Sequence, residues 1–223
     1  RCRAMPTAAD RAAAAHPLAV AEFQYLGQCA FQANEDRARA PQLFGVTLAT
    51  VAAALYSSKL EGLDGATARL VFALLFASEA VVGALTLRQL ARLRLSWLSA
   101  IRAQNTLLRQ AVAADRTLDG WFLWLDEPMP PAYNHGSVGW LMAAGVSLLT
   151  GLTAAAVVFT GMSLVAVEFG VRSGPLVDTG GLVFLSAIAL VIFGAIAFHH
   201  GYRLPLEQQD AKRSAADSSA LSS

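Results

Sequence analysis

The sequence predicts an all-α, polytopic membrane protein with four transmembrane helices, arranged as two antiparallel hairpins, and with helical extensions in the cytoplasm. Three observations favour this fold class. Of the 223 residues, 55% are hydrophobic and only 15% are charged, whereas soluble domains usually contain about 25% charged residues. Long stretches are almost free of charge, and most arginines lie between those stretches. Because bilayer hydrocarbon excludes charge, this pattern is typical of membrane-spanning helices.

Four stretches have lengths close to the ~20 apolar residues that a helix needs to cross the hydrocarbon core. They cover residues 42–58, 67–87, 138–167 and 181–198. The third stretch exceeds the required length, so we expect that helix to tilt or to protrude from the membrane. Short connections follow the first and third stretches, which predicts one hairpin over residues 42–87 and another over residues 138–198.

The distribution of positive charge predicts the orientation of these spans. Fourteen of the 17 lysines and arginines lie before residue 42, between residues 88 and 137, or after residue 198. Connections rich in lysine and arginine stay in the cytoplasm. We therefore expect a multi-pass protein of the bacterial inner membrane, with both termini and the central segment cytoplasmic.

Three cytoplasmic parts complete the predicted organisation. Apolar residues at helical spacing predict an amphipathic helix within residues 1–41, which leads into the first span. Residues 88–137 continue the helix of the second span and end in an interfacial segment rich in proline and aromatic residues. Residues 199–223 are polar and rich in serine and alanine, which predicts a disordered tail.

Aromatic side chains in and after this proline-rich segment predict contact with the lipid headgroups. The candidate interfacial anchors are Trp121, Trp124, Tyr133 and Trp140. Such rings combine an apolar body with a polar group and are favoured at headgroup depth. An aromatic cage that binds a cationic ligand is the alternative interpretation.

One acidic residue, Glu79, falls near the middle of the second span. An ionised carboxylate at that depth is costly without a partner or water, and no lysine or arginine of the spans lies there. The candidate partners are hydroxyl groups at similar depth: Thr47, Thr50, Thr150 and Thr153. Three interpretations stay open, namely a neutral structural residue, a carboxylate lining a hydrated path between subunits, and a group that couples proton or cation movement in a transporter.

Small residues predict where helices approach each other closely. The third span carries a row of them at intervals of four, Ala143, Ser147, Gly151 and Ala155. Gly83 lies one turn from Glu79 and leaves space for a neighbouring backbone. Such rows serve packing within one chain or between subunits. Besides the lipid bilayer, the predicted partners are a second copy of the chain or another membrane protein.

Composition and motifs argue against enzymatic activity and nucleic-acid binding. The formal net charge is +1, whereas nucleic-acid-binding domains show a strong basic excess. No phosphate-binding loop, metalloprotease motif or nucleophile motif occurs. Cys2 and Cys29 lack the spacing of a zinc site, and the adjacent His199 and His200 point to different sides of a helix. We therefore expect no cofactor and no metal site.

Two segments carry a family resemblance, "QANEDRARAPQLFGVTLATVAAAL" and, after the second span, "LRQLARLRLSWLSAIRAQNTLLRQA". Over residues 18–115, their layout resembles that of bacterial SLATT-type small membrane proteins. The resemblance implies a transmembrane hairpin flanked by cytoplasmic helices, in proteins that are proposed to oligomerise and breach the membrane as effectors of defence systems. The second hairpin departs from the two-span pattern of that family, and no functional residue is carried over from it.

These features together predict a non-enzymatic integral membrane protein that acts as an oligomeric assembly or as a pore or effector-type component. The alternative is a small transporter or an accessory subunit of a larger membrane complex. The oligomeric state of the purified protein separates these two classes.

Overall fold

The computed structural model describes residues 8–57, 65–115, 122, 125, 128–168 and 179–221. The helical elements are α1 (Ala8–Ser57), α2 (Gly65–Ala114), α3 (Val138–Glu168), α4 (Thr179–Phe198), a π-helical turn (His199–Arg203) and α5 (Leu204–Leu221). No strand occurs within the described ranges. The prediction of an all-α fold is confirmed.

The chain divides into two compact units. The first unit combines Arg1–Asp36 with Leu93–Pro131, and the second combines Arg37–Arg92 with Ala132–Ser223. Helices α1 and α2 contribute to both units, because each continues for 50 residues without a break. The boundaries predicted at residues 41 and 87 therefore fall inside continuous helices.

Among the residues that the structure describes, three helical segments are long and apolar enough to cross a membrane: Gly65–Ala114, Val138–Ala166 and Gly180–Ala216. Helix α1 is not among them, so the predicted number of four such helices is wrong. The physical reason is length. The apolar part of α1 begins at residue 42 and the helix ends at Ser57, which at ~1.5 Å per residue covers about 24 Å. This is less than the ~30 Å thickness of bilayer hydrocarbon.

Apolar side chains cover much of the outer surface of the second unit. Only 17% of the most apolar window of α2 is buried, and the value for the segment that begins at Gly180 is also 17%. Leu74, Leu85 and Val191 are all more than half exposed. A soluble monomer rarely exposes contiguous apolar surface of this kind. The three long apolar helices are therefore compatible with a multi-pass membrane protein.

The core of the second unit lies where α3 and α4 pack against each other. Ala143 and Val146 on α3, and Leu182 and Ala189 on α4, are buried. The other helices add large side chains that are fully buried: Phe44 of α1, Leu87 and Leu90 of α2, and Leu206 of α5. All four large side chains are apolar, so van der Waals packing around them contributes to the stability of this unit.

The structure corrects the prediction of a disordered tail over residues 199–223. Helix α4 continues through the π-helical turn into α5, which ends at Leu221. Pro205 accounts for the turn, because proline has no N–H to donate and its ring collides with the carbonyl four residues earlier. In the wider π geometry, the Leu204 N–H bonds to the His199 carbonyl instead. The polar composition of this segment reflects an exposed helix rather than disorder.

The first unit pairs the amino-terminal part of α1 with the carboxyl-terminal part of α2. Buried small and apolar side chains lie on both helices, namely Ala30 and Ala33 on α1 and Leu98 and Ala100 on α2. The Gln104 amide joins the helices by donating to the Phe23 carbonyl at 3.2 Å. Arg109, in the last part of α2, donates to the carbonyl of Leu125 at 3.0 Å. This bond attaches Leu125 to the helix.

Candidate functional site

The candidate site is the buried acidic residue of the second unit. Glu79 is only 7% exposed. Its Oε2 atom lies 3.2 Å from the hydroxyl oxygen of Thr47, so α1 and α2 are joined by a hydrogen bond between side chains. Within the described residues, this hydroxyl is the group that forms a hydrogen bond with Glu79.

The Thr47 hydroxyl has two acceptors within hydrogen-bonding distance. Its Oγ1 atom lies 3.2 Å from Glu79 Oε2 and 2.8 Å from the Phe44 carbonyl of its own helix. Because a hydroxyl has one proton, it donates to one of these oxygens at a time. Thr47 therefore links the carboxyl group of α2 to the backbone of α1.

The other predicted partners of Glu79 form different hydrogen bonds. Thr50 donates to the Val46 carbonyl, Thr150 to the Val146 carbonyl and Thr153 to the Thr150 carbonyl, at 2.7–2.8 Å. Helical threonines readily bond to the carbonyl three or four residues earlier, and this bond competes with contacts to another helix. Of the four predicted hydroxyls, the structure therefore brings only Thr47 to Glu79.

Gly83 marks the place where three helices of the second unit meet. A Cβ atom at this position would overlap the Thr150 hydroxyl and would lie 3.0 Å from Phe44 Cζ. These neighbours belong to α3 and α1, respectively. Since Gly83 is one turn from Glu79, the close approach of the helices and the buried acid are parts of one arrangement.

The row of small residues on α3 faces α4 within the same chain. The Ser147 hydroxyl donates to the Gly194 carbonyl at 2.6 Å. A Cβ atom at Gly151 would overlap the Leu190 carbonyl. Ala143 and Ala155, at the two ends of the row, are buried. The row therefore packs against another helix of the same chain. Packing within one chain was one of the two interpretations that the sequence left open.

Gly194 is a packing residue that the sequence analysis missed. A Cβ atom at Gly194 would lie 3.2 Å from the Ser147 carbonyl oxygen, so a larger residue would press on the α3 backbone. A glycine well inside an apolar span was the available signal, because small residues mark close helix contacts in lipid.

The predicted interfacial aromatics separate into two groups. Trp121 and Trp124 lie outside the described residues. Tyr133 and Trp140 contact each other, with Trp140 Nε1 donating to the Tyr133 hydroxyl at 3.2 Å. The Trp140 ring also packs on His135, with centroids 4.5 Å apart, and meets Phe198 edge-on at 6.1 Å. The Trp140 ring therefore contacts neighbouring side chains of the same unit.

Asp210 is a second residue that the sequence analysis missed. Its two carboxylate oxygens accept hydrogen bonds from the backbone N–H groups of Ala132 and Tyr133, at 2.8 and 3.0 Å. Arg203, the last residue of the π-helical turn, pairs with Glu207 of α5 at 2.7 Å and lies over the Tyr133 ring. These contacts attach α5 to the segment that leads into α3. No local sequence signal distinguishes Asp210 from the other charges of the tail.

The described residues contain no group of three or more histidine, cysteine, aspartate or glutamate side chains placed to hold a metal ion. The rings of His199 and His200 pack edge-on, with centroids 5.1 Å apart. Cys29 is a free thiol, and its hydrogen bond with the Tyr25 phenol raises the pKa of Tyr25. Cys2 lies outside the described residues.

No protein-family model, no curated protein and no solved structure matches the chain. The resemblance to SLATT-type membrane proteins therefore stays a prediction from the layout of the sequence.

Proposed function

We propose that this protein is a non-enzymatic, integral component of a membrane assembly, and that its second unit is embedded in the bilayer. The observation that carries the proposal is the surface of that unit. The most apolar windows of α2 and of the segment that begins at Gly180 are only 17% buried within a single chain. Lipid or a neighbouring protein has to cover this surface, because water disfavours it.

Both termini and the α2–α3 connection face the cytoplasm in this proposal. The support is the placement of arginine, since Arg88, Arg92 and Arg94 follow the apolar part of α2 directly. This orientation requires the short apolar part of α1 to cross beside α2. A short segment crosses where the bilayer thins or where a neighbouring helix shields it, and the Thr47–Glu79 bond supplies such a neighbour.

Glu79 acts as a neutral structural residue in this assembly. Its low exposure and its bond to a hydroxyl of the same chain favour this role over a hydrated path between subunits. Because the layout of the sequence resembles that of SLATT-type effectors, a pore-type component is the form of assembly that we test.

The small-residue row of α3 is already covered, so oligomer contacts would use outward faces such as those of α2 and α4. Leu70, Leu74 and Val81 are exposed on α2, and Val191 and Ile192 are exposed on α4. Association of helices in lipid relies on packing rather than on the hydrophobic effect. We therefore assign self-association to these outward faces.

An accessory subunit is the second candidate function, and the surface of the first unit favours it. Leu18 is 71% exposed and Phe31 is 70% exposed on the amino-terminal part of α1. A partner that covers these side chains would remove apolar surface from water. In that case the partner is a different membrane complex rather than a second copy of the chain.

The test combines oligomeric state with ion leakage. Protein purified in mild detergent is measured by light scattering, then reconstituted into liposomes that contain an ion-sensitive dye. A homo-oligomer supports the proposed assembly, and a leak in addition identifies a pore. A monomer without leakage contradicts the proposed oligomer and favours the accessory subunit.

Glu79→Gln supplies the matched control for the role of the acid. The amide keeps the hydrogen bond but has no charge, so a structural Glu79 predicts unchanged oligomeric state and unchanged leakage. A changed ion flux would assign Glu79 to a hydrated path. Loss of pH-dependent uptake would assign it to a transporter.

A further inference from the structure

Two grooves in the second unit border α2 at the same position. The first has a volume of about 420 Å³ and lies between α1 and α2. The second has a volume of about 370 Å³ and is lined by residues of α2, α3, α4 and the π-helical turn. Leu85 and Arg88 line both grooves. Arg88 is therefore the residue at which the two grooves meet.

Each groove is apolar over most of its wall and basic at one end. Leu43, Phe44 and Val82 line the apolar part of the first groove, and Arg88 and Arg92 line its polar end. From residue 82 to residue 92, α2 advances by about 15 Å. The groove thus changes from apolar to cationic over about half of the ~30 Å hydrocarbon thickness, so its apolar part can lie in hydrocarbon while its basic end lies at the headgroups.

The two arginines are available to a ligand. Both side chains are exposed, and within the described part of the chain neither guanidinium forms a hydrogen bond or an ion pair. Arg109 and Arg203 differ in this respect, because the first donates to a carbonyl and the second pairs with Glu207. Arg88 and Arg92 lie one turn apart on the same face of α2, so both can approach one anion.

We propose that Arg88 and Arg92 bind the phosphate of an anionic phospholipid, and that its acyl chains occupy the apolar parts of the grooves. The inference rests on the proposed membrane location of the second unit. Basic pockets between helices at the cytoplasmic membrane face suit such headgroups, and planar guanidinium groups suit phosphate oxygens. On the other side of Arg88, the second groove adds His200 near its polar end and Phe193 and Ile196 on its apolar wall.

The apolar walls decide between a lipid and a free phosphate. A soluble phosphate ester would use the arginines and leave Leu43, Val82 and Phe193 uncovered, whereas a phospholipid satisfies both ends of the groove. The charge decides between lipids, because a zwitterionic headgroup carries its own cation and gains less from an arginine pair.

The experiment measures lipid binding to the purified full chain by native mass spectrometry. Phosphatidylglycerol and phosphatidylcholine with identical acyl chains are compared, and glycerol phosphate serves as the chain-free probe. Each arginine near anionic headgroups contributes about fivefold in affinity. We expect phosphatidylglycerol to bind at least about fivefold more tightly than phosphatidylcholine, and glycerol phosphate not to compete.

Variants locate the site. Arg88→Gln should lower the preference for phosphatidylglycerol about fivefold, and Arg92→Gln should have a similar effect that is confined to the first groove. Arg69→Gln is the matched control, because it removes the same charge from α2 outside both grooves. Arg88→Lys, which keeps the charge, should retain most of the preference if Arg88→Gln lowers it through charge rather than through misfolding.

Two results would overturn the inference: equal affinity for the two lipids, or an Arg88→Gln variant that keeps the full preference. Competition by glycerol phosphate would also overturn it, in favour of a soluble phosphate ester. Alkaline extraction separates this failure from failure of the proposed function. A chain that leaves the membrane fraction under carbonate contradicts the membrane assembly itself, whereas a chain that stays without lipid preference contradicts only the lipid site.

Discussion

Gly83 of α2 and Thr150 of α3 are in such close contact that a Cβ atom on the glycine would overlap the threonine hydroxyl. Gly83→Ala should therefore destabilise the second unit by about 1–3 kcal/mol, the usual cost of adding a methyl group to a packed interior. The measurement is thermal unfolding in detergent. Thr150→Ala should restore part of the loss when it is combined with Gly83→Ala.

Gly45 of α1 provides the control for this substitution. A Cβ atom there would meet nothing within 4 Å, and alanine is favoured over glycine in a helix by about 1 kcal/mol. Gly45→Ala should consequently be neutral or stabilising. Equal destabilisation by the two variants would contradict the contact between α2 and α3.

The Thr47–Glu79 bond should appear as energetic coupling between α1 and α2. Thr47→Val and Glu79→Gln are combined in a double-mutant cycle, with stability measured by reversible denaturation in detergent micelles. Side-chain hydrogen bonds between helices in membranes contribute about 0.6 kcal/mol on average, so we expect coupling of this size. Thr50→Val is the control, because Thr50 bonds to the Val46 carbonyl of its own helix. Coupling of Glu79 to Thr50 instead of Thr47 would show that α1 is rotated differently about its own axis.

The contrast between Thr47 and Thr50 shows where prediction from the sequence ended. Exclusion of charge from hydrocarbon places residues at a depth, so residues 138–167 and 181–198 were predicted close to the observed α3 (Val138–Glu168) and α4 (Thr179–Phe198). Depth leaves the rotation of a helix about its own axis undetermined. Four threonines were therefore equivalent candidates for Glu79, and only packing against α2 distinguishes them.

Asp210 illustrates a different limit. Its partners are two backbone N–H groups more than 70 residues away, and backbone groups have no sequence signature. The polar composition that surrounds Asp210 favoured disorder, whereas the structure has an exposed helix attached at this residue. The prediction of a disordered tail was wrong because amino-acid composition indicates whether a segment is exposed to solvent. It does not indicate whether that segment is attached to the rest of the protein.

Asp210 should control the attachment of α5. Hydrogen bonds to charged groups contribute about 1.5–3 kcal/mol each, so Asp210→Ala should expose the amides of Ala132 and Tyr133 and speed their hydrogen exchange by roughly tenfold or more. Lys212→Ala, at an exposed position of the same helix, should leave that exchange unchanged. Unchanged protection in Asp210→Ala would show that other contacts hold α5.

The last prediction concerns the topology of α1. The apolar part of α1, from residue 42 to Ser57, is too short to qualify as a span by itself, whereas the proposed cytoplasmic location of both termini requires it to cross. In a background with Cys2 and Cys29 replaced by serine, single cysteines are placed at Gln32, Gly62 and Asn105. A membrane-impermeant maleimide added to intact cells should label position 62 and should label positions 32 and 105 only after the membrane is opened. Labelling of positions 32 and 62 from the same side would leave α1 on one face of the bilayer, since a helix that ends where it began has not crossed. In that case the amino terminus and the carboxyl terminus would lie on opposite sides, and the preference of arginine for the cytoplasm would not govern this chain.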